Sequence, residues 1–472
     1  MYTRAAASDY DDWATVYGNK GWSAAELLPL LRKCETYQLH PDKPTHGYSG
    51  PLKVSYGGFS TEVGEEFLNV AAQYDKTRGL TDDVNGLFEC NKYGKWQKWI
   101  DAKTGTRSDV PHHYIYPYAA NTNLNILTGH HVKRVILKDG VAVGVQYIPN
   151  SRFHPEAKAE VLTALARRLV VLSAGAFGSP AILERSGIGS REILDKVGVK
   201  LVVDLPGVGE SYQGGGLEAG IKIRPSRKDL DVIGDEFRKR WLEYYAPAPD
   251  KPVLWIATLS VLTGDRPATI GPGGKYWSVG WYLEHPTSIG FVHITSASDV
   301  EASSDFHPGF LDSPEDMALH KWGYKRTREY ARRLPSYRGE VEGRHPAFHP
   351  SSKAAAGARD GPVPVLSPDL EYSAEDDRAL EDYIRKVVAT TWHSIGTCAM
   401  KKRGDGGVVD SRLNVYGVQN LKIADLSICP GNVAANTYST AVLIGEKAAV
   451  IVAGELGITM ADAGPPAMRA HL

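Results

Sequence analysis

The alternation of apolar and polar residues along the chain predicts a protein that mixes strands and helices. Residues 123–148 alternate as a strand does, turn at Asp139-Gly140 and alternate again, which is typical of a β-hairpin. Residues 167–189 predict a buried strand, a glycine-containing turn, a short helix and a second glycine stop. A further strand is predicted at residues 288–298.

Apolar residues at helical spacing predict three helices outside these segments. The stretch WSAAELLPLLRKCETY predicts a helix with Ser23 as its N-cap, and residues 373–391 predict a capped amphipathic helix. Residues 436–456 predict a final helix that starts at Asn436, just after a short strand that ends at Asp425. With the strands above, these helices favour an α/β fold.

Length and composition predict two domains and exclude several classes of partner. A chain of 472 residues exceeds the size of one ordinary hydrophobic core. Its 54 basic and 55 acidic residues nearly cancel, which argues against nucleic acid and against an anionic membrane surface as partners. No apolar stretch approaches the length of a bilayer span, and none of the four cysteines forms a C-x-x-C pair. We therefore expect no membrane partner and no metal site.

Three motifs are candidates for chemistry, and each has a purely structural alternative. The strand within 167–189 delivers Ala174 and Gly175 to its carboxyl end, where a doubly wound sheet binds its ligand, although a plain strand–turn–helix has the same pattern. A helix start at Asn436-Thr437 offers backbone N–H groups to developing negative charge, unless Asn436 only caps the helix. His393, in TTWHSIGTCAM, can accept a proton near neutral pH, although a lone histidine is more often structural.

Taken together, the motifs resemble one enzyme family. LSAGAFGSPAILERSGIG resembles the second signature of the glucose–methanol–choline (GMC) flavin oxidoreductases, and the block from HSIGTCAM to IGEKAA resembles their C-terminal region. DYDDW, GPLKVSYGG and TTWHSIGTCAM look like the alcohol (methanol) oxidases of fungi, and the similarity runs from Met1 to about Leu456. It implies an α/β fold in two parts. A Rossmann-like FAD-binding domain would comprise residues 1–212 and 385–472, and an α+β substrate-binding domain on an antiparallel sheet would comprise residues 213–384.

The resemblance also implies roles and a reaction. His393 matches the catalytic base, and Asn436 matches the second active-site residue. The positions implied to bind FAD are Val132, Ala174, Gly175, Trp392, Asp425, Asn436 and Thr437. The implied reaction oxidises a short-chain, methanol-like primary alcohol to an aldehyde, with FAD as the cofactor and dioxygen reduced to hydrogen peroxide. The resemblance to methanol oxidases also suggests a homo-oligomer.

The sequence departs from the family at three places. The strand–G-x-G-x-x-G–helix unit that binds the FAD pyrophosphate has no counterpart, so the first βαβ unit is expected to be missing and FAD binding to be weak. Deletions are expected at Gly214-Gly215-Gly216 and near residues 354–364. An N-terminally truncated, FAD-deficient and inactive family member is therefore one alternative. Another is a GMC dehydrogenase or a lyase acting on a different substrate, and a non-enzyme interaction module is the last.

The final three residues bear on location. Ala470-His471-Leu472 is a small–basic–leucine tripeptide that resembles the peroxisomal SKL address. It predicts a peroxisomal protein, and without import the protein would be cytoplasmic.

Overall fold

The structure is a computed structural model that describes residues 1–157, 160–213, 220–263, 274–341, 343–355 and 361–460. Gly214-Gly215-Gly216, part of the 354–364 stretch and the C-terminal tripeptide lie outside the described residues. Within the described ranges the chain mixes helices and short strands, as its sequence predicts.

The α-helices are α1 (Ala7–Thr15), α2 (Ala24–Cys34), α3 (Glu62–Tyr74), α4 (Gly175–Arg185), α5 (Arg191–Lys196), α6 (Arg227–Ile233), α7 (Asp235–Arg240), α8 (Pro314–Ala331), α9 (Ala374–Val387) and α10 (Tyr438–Leu456). The strands are β1 (Glu35–Tyr37), β2 (Leu52–Val54), β3 (His130–Lys138), β4 (Val141–Pro149), β5 (Leu162–Leu165), β6 (Val170–Leu172), β7 (Ile188–Gly189), β8 (Val203–Asp204), β9 (Gly220–Ile223), β10 (Leu254–Leu259), β11 (Ser278–Leu283), β12 (Phe291–His293), β13 (Asp305–His307) and β14 (Leu421–Ile423).

The parallel pair β6–β14 positions the candidate site. Val170 lies opposite Leu421 and Leu172 opposite Ile423, so both strands end at the same edge. That edge is where open α/β sheets bind ligands. The prediction of a buried strand needs correction, because Val171 is 43% exposed between two buried neighbours. β6 is thus covered on one face and open on the other.

The predicted hairpin is confirmed. β3 and β4 pair antiparallel through a two-residue turn in which Asp139 and Gly140 have φ values of 49° and 77°. Two positive φ values match the right-handed twist of the flanking strands, and aspartate followed by glycine tolerates them. The first strand starts at His130 and not at residue 123, and β5 adds a third strand to the sheet.

Helix caps follow the sequence at two of three predicted starts. The Ser23 hydroxyl accepts the N–H of Glu26 at 3.4 Å, and Glu26 accepts the N–H of Ser23 at 3.1 Å, which confirms the predicted cap of α2. Ser373 caps α9 in the same way, although that helix ends at Val387, before the predicted residue 391. The last helix, α10, begins at Tyr438, so Asn436 lies ahead of it and does not serve as its cap.

Two apolar clusters make up most of the interior. The first contains α1, α2, the β3–β4 hairpin, the parallel pair and buried residues of α10. The second forms around the antiparallel sheet β9-β10-β11, with α3 and α8 packed against it. α3 therefore packs with the second cluster, although the predicted boundary assigns residues 1–212 to the first domain. The domain boundaries stay a prediction.

Among the described helices, none has the length and apolar character needed to cross a bilayer.

Candidate active site

His393 and Asn436 come together although 43 residues separate them. The Nδ2 atom of Asn436 lies 3.0 Å from Nε2 of His393. An amide nitrogen only donates, so Nε2 of His393 is the acceptor, and a neutral imidazole then carries its proton on Nδ1. An unprotonated ring nitrogen is the state that a general base requires. The structure thus brings the two predicted catalytic side chains together, and their catalytic roles stay a prediction.

The other end of the Asn436 carboxamide is an unpaired acceptor. Its Oδ1 atom is buried and has no hydrogen-bond partner among the described residues. Buried polar atoms are almost always paired, with protein, water or a bound molecule. The side chain therefore does not cap a helix, and it offers an acceptor beside a base.

The start of the chain holds Asn436 in place. The Thr3 hydroxyl donates to the backbone carbonyl of Asn436 at 2.8 Å, and the Ser439 hydroxyl donates to the carbonyl of Thr3. Thr3 is buried. The sequence carries no signal for this contact, because its partners are 433 residues apart.

Asp9 fixes the loop that leads to Asn436. One oxygen of its buried carboxylate accepts the N–H groups of Ala434 at 2.8 Å and Ala6 at 3.0 Å, and the other accepts from His285 Nε2 at 2.7 Å. Burial alone would raise the pKa of Asp9, but His285 and Lys251 lower it to about 2. In the sequence the DYDDW motif carries only the family resemblance, and the structure adds this positioning role of Asp9.

We expect Asp9→Asn to lower the free energy of unfolding by about 2 kcal/mol near neutral pH. The pKa of Asp9 is depressed in the folded state, so this stability is present above about pH 4 and is lost as the pH falls toward 2. Urea unfolding across the acidic range measures the effect, with Asp405→Asn on an exposed turn as the control. A difference between wild type and variant that does not shrink with acid would contradict this account.

The edge at the end of the parallel pair is closed by Asp425. One oxygen of its carboxylate accepts the N–H of Gly175 at 3.0 Å and the hydroxyl of Ser179 at 2.5 Å, and the other accepts the N–H of Ser427 at 2.7 Å. Gly175 has φ +76°, and a Cβ placed there would meet no atom within 4 Å. A ligand can therefore approach the backbone at Ala174-Gly175 closely. Their contact with a cofactor stays a prediction.

The segment after His393 crosses this same edge. The Thr397 hydroxyl donates to the carbonyl of Ala176 in α4 at 2.6 Å, and the N–H of Gly396 donates to the carbonyl of Leu426 at 3.2 Å. The segment that follows His393 is thereby tied to the residues just beyond both strands.

Trp392 presents open apolar surface next to His393 in the sequence. Its side chain is 80% exposed, and its backbone φ is +62°, which is rare for a bulky residue. Such strained residues concentrate at functional sites.

Val132 is also partly exposed, on β3, which packs against α4. Thr437 takes the cap position of α10 without a side-chain hydrogen bond, so the first N–H groups of that helix stay available to a ligand.

These features fit the ring system of a flavin. Trp392 supplies an apolar face, the start of α10 supplies donors and positive potential, and Asn436 supplies an unpaired acceptor. Reduced flavins gain negative charge at one edge, which a helix N-terminus stabilises. The fold and the site thus define a flavin-dependent oxidoreductase.

Comparison with known proteins identifies the family. Two sequence profiles, both described as GMC oxidoreductase, match residues 1–213 and residues 286–445. This chain belongs to the GMC oxidoreductase family. It is an oxidoreductase enzyme with FAD as its cofactor, as the sequence predicts.

The curated relatives include alcohol oxidases of yeasts. The chain is 39% identical to an alcohol oxidase of Pichia angusta over 556 residues, which cover 98% of this chain and 82% of that protein. It is 37% identical to an alcohol oxidase of Candida boidinii, covering 97% of this chain and 81% of that protein. The first alignment is longer than the 472 residues of this chain, so that relative has internal residues without a counterpart here.

Solved structures confirm the predicted fold class. An Aspergillus oryzae formate oxidase variant matches 96% of this chain and 82% of its own, with a TM-score of 0.74 at 21% identity. An FAD-dependent oxidoreductase from Chaetomium thermophilum matches 97% of this chain and 85% of its own, with a TM-score of 0.71 at 24% identity. At these identities the likeness shows the fold alone, and the missing first βαβ unit stays a prediction.

Proposed function

We propose that this protein oxidises a short-chain primary alcohol to an aldehyde while dioxygen is reduced to hydrogen peroxide. Two electrons and two protons leave the alcohol. All of them reach dioxygen and form hydrogen peroxide, so the reaction balances without another reactant. The approach of His393 Nε2 to Asn436 Nδ2 at 3.0 Å carries the proposal. The names of the yeast relatives, which are alcohol oxidases, support it.

His393 would take the hydroxyl proton. When an alcohol enters, Nδ2 of Asn436 would donate to the alcohol oxygen, and Nε2 of His393 would accept the hydroxyl proton. General-base assistance of this kind accelerates a reaction by roughly a hundred- to ten-thousand-fold. The bound FAD supplies the acceptor for the hydride that leaves the carbon. Trp392, Gly175 and the start of α10 are the groups that would hold it.

Asn436 would orient the substrate. Its backbone is fixed by Thr3, and the loop before it is fixed by Asp9, so the backbone that carries the carboxamide is held in place. Orientation of a bound reactant lowers the barrier because less freedom is lost at the transition state. The N-terminal segment therefore belongs to the machinery of the site.

The experiment is to supply the FAD-loaded protein with methanol and ethanol and to follow oxygen uptake, aldehyde and peroxide together. We expect the three quantities to agree one for one. Reduction of a quinone without oxygen uptake would instead support the dehydrogenase alternative. A flavin-loaded chain that oxidises no alcohol would overturn the proposal.

We also propose a peroxisomal location and a homo-oligomeric assembly. A peroxide-producing enzyme is expected in an organelle that destroys peroxide, and the tripeptide Ala470-His471-Leu472 resembles a peroxisomal address. A fluorescent reporter that carries the tripeptide should enter peroxisomes, and one with Leu472 deleted should not. Size-exclusion chromatography with light scattering tests the assembly, and a monomer would contradict it.

A further inference from the structure

An open cleft lies beside the segment that leads into the base. Its volume of about 520 Å³ includes space that is open to solvent. Thr391, two residues before His393, lines the cleft, as does Gln213. Gln213 exchanges two backbone hydrogen bonds with Ile395, at 3.2 and 3.0 Å. The cleft therefore lies beside the chain segment that carries His393.

The walls of the cleft favour a neutral and largely apolar occupant. Apolar side chains of the second cluster's sheet and of the neighbouring loops face it, among them Tyr282, Leu283, Phe310, Leu311 and Val388. Its one carboxylate, Asp316, is occupied by the N–H groups of Thr287 and Ser288, both at 2.9 Å. No lysine or arginine is among its described lining residues. A carboxylate or phosphate on the occupant would therefore lack a counter-charge.

His320, on α8, supplies a single fixed donor to this cleft. The indole N–H of Trp281 donates to His320 Nδ1 at 3.2 Å. An indole nitrogen can only donate, so Nδ1 is the acceptor and the neutral ring carries its proton on Nε2. Burial lowers the pKa of His320 to about 4, which keeps the ring neutral at physiological pH. Among the described residues, Nε2 makes no hydrogen bond, and the ring lines the cleft.

A second polar group in the cleft comes from Thr391, two residues before His393 in the sequence. The Oγ1 atom of Thr391 is buried and has no hydrogen-bond partner among the described residues. The cleft thus combines apolar walls with two polar side chains, His320 and Thr391. That is the usual composition of a site that recognises a neutral organic molecule.

We propose that this cleft binds the body of the alcohol and that His320 selects primary alcohols whose apolar chain carries a second, acceptor oxygen, such as an ether. The inference rests on the proposed alcohol oxidation and specifies its substrate class. The hydroxyl group lies at His393 and Asn436, the chain lies along the apolar wall, and the ether oxygen accepts from His320 Nε2. Methanol fills none of this surface and is expected to be a poorer substrate.

The first test compares methoxy-terminated primary alcohols with unbranched alkanols of equal length. In the wild-type holoenzyme, kcat/KM should be higher for the ether alcohol. His320→Leu should lower that ratio about tenfold, mainly through KM, because one hydrogen bond is lost. His320→Gln should retain much of the ratio, since its amide can accept from Trp281 and donate into the cleft. His349→Leu, an exposed site outside the cleft, is the control.

The second test separates binding from turnover. A dimethoxyalkane cannot be oxidised as a primary alcohol, and saturation-transfer NMR should detect it on wild type and on His320→Gln but not on His320→Leu. Binding without oxidation of any alcohol would overturn the proposed reaction alone. Oxidation of ether alcohols and alkanols with equal kcat/KM, and no effect of His320→Leu on binding, would overturn the assignment of the cleft.

Discussion

Replacing His393 by glutamine is expected to lower kcat for alcohol oxidation by about a hundred- to ten-thousand-fold. Glutamine keeps a polar side chain next to Asn436, but it cannot take up a proton. The base acts on the proton in the transition state, so kcat and kcat/KM should fall together while substrate binding changes little. Steady-state oxygen uptake and the anaerobic rate of alcohol-dependent reduction both report the loss.

Two variants make this experiment discriminating. His112→Gln changes an exposed histidine that pairs with Asp109, and it should leave kcat unchanged. Asn436→Ala should cost less than His393→Gln, because it removes orientation and not the base. The double variant should lose less than the sum of the two effects on the barrier, since the side chains are in contact at 3.0 Å. If His393→Gln keeps more than roughly a tenth of wild-type kcat, the histidine is not a general base.

Local chemistry explains what the sequence predicts well. Asp139-Gly140 defines the hairpin because only residues that tolerate positive φ can form that two-residue turn. Ser23 defines the start of α2 because its hydroxyl accepts an N–H that the helix leaves unpaired. Both signals act within four residues, so periodicity and turn chemistry are sufficient to place these elements.

Distant contacts explain what the sequence cannot predict. By local pattern, Asn436 looks like a helix cap. Thr3 and His393 instead hold Asn436 ahead of α10, and neither contact produces a periodic pattern in the sequence. The exposure of Val171 has the same origin, because burial of a strand depends on what packs on each face. The family resemblance predicted that His393 and Asn436 act together, and the supporting contacts of Asp9 and Thr3 required the structure.

A pH dependence of stability is expected from His293, at the end of β12. Its Nδ1 lies 2.7 Å from a carboxylate oxygen of Glu184 on α4, and its Nε2 lies 3.1 Å from Glu210. The other oxygen of Glu184 accepts the N–H of Ile294 at 2.8 Å. Burial alone would lower the pKa of His293, but the two carboxylates raise it to about 9. A buried imidazolium thus joins the strand to the helix that begins at Gly175.

His293→Gln is expected to lower the free energy of unfolding by about 3 kcal/mol below about pH 6.5, where the wild-type ring is charged in both states. Because the folded pKa is raised, the contribution is complete below the unfolded pKa and is lost as the pH rises through about 9. Glu210 is half exposed, so water screens its share, and most of the effect comes from Glu184.

Urea unfolding of wild type and variant from about pH 6 to pH 10 measures this difference directly. His307→Gln is the matched control, because His307 and Asp312 form an exposed pair at 3.3 Å that water screens. The wild-type advantage over His293→Gln should shrink across the alkaline range, while the control difference stays near zero. A constant advantage at all pH values would show that the ring acts by packing alone, since lost volume does not titrate. An advantage that shrinks as the pH rises would show that the charge on His293 joins β12 to α4.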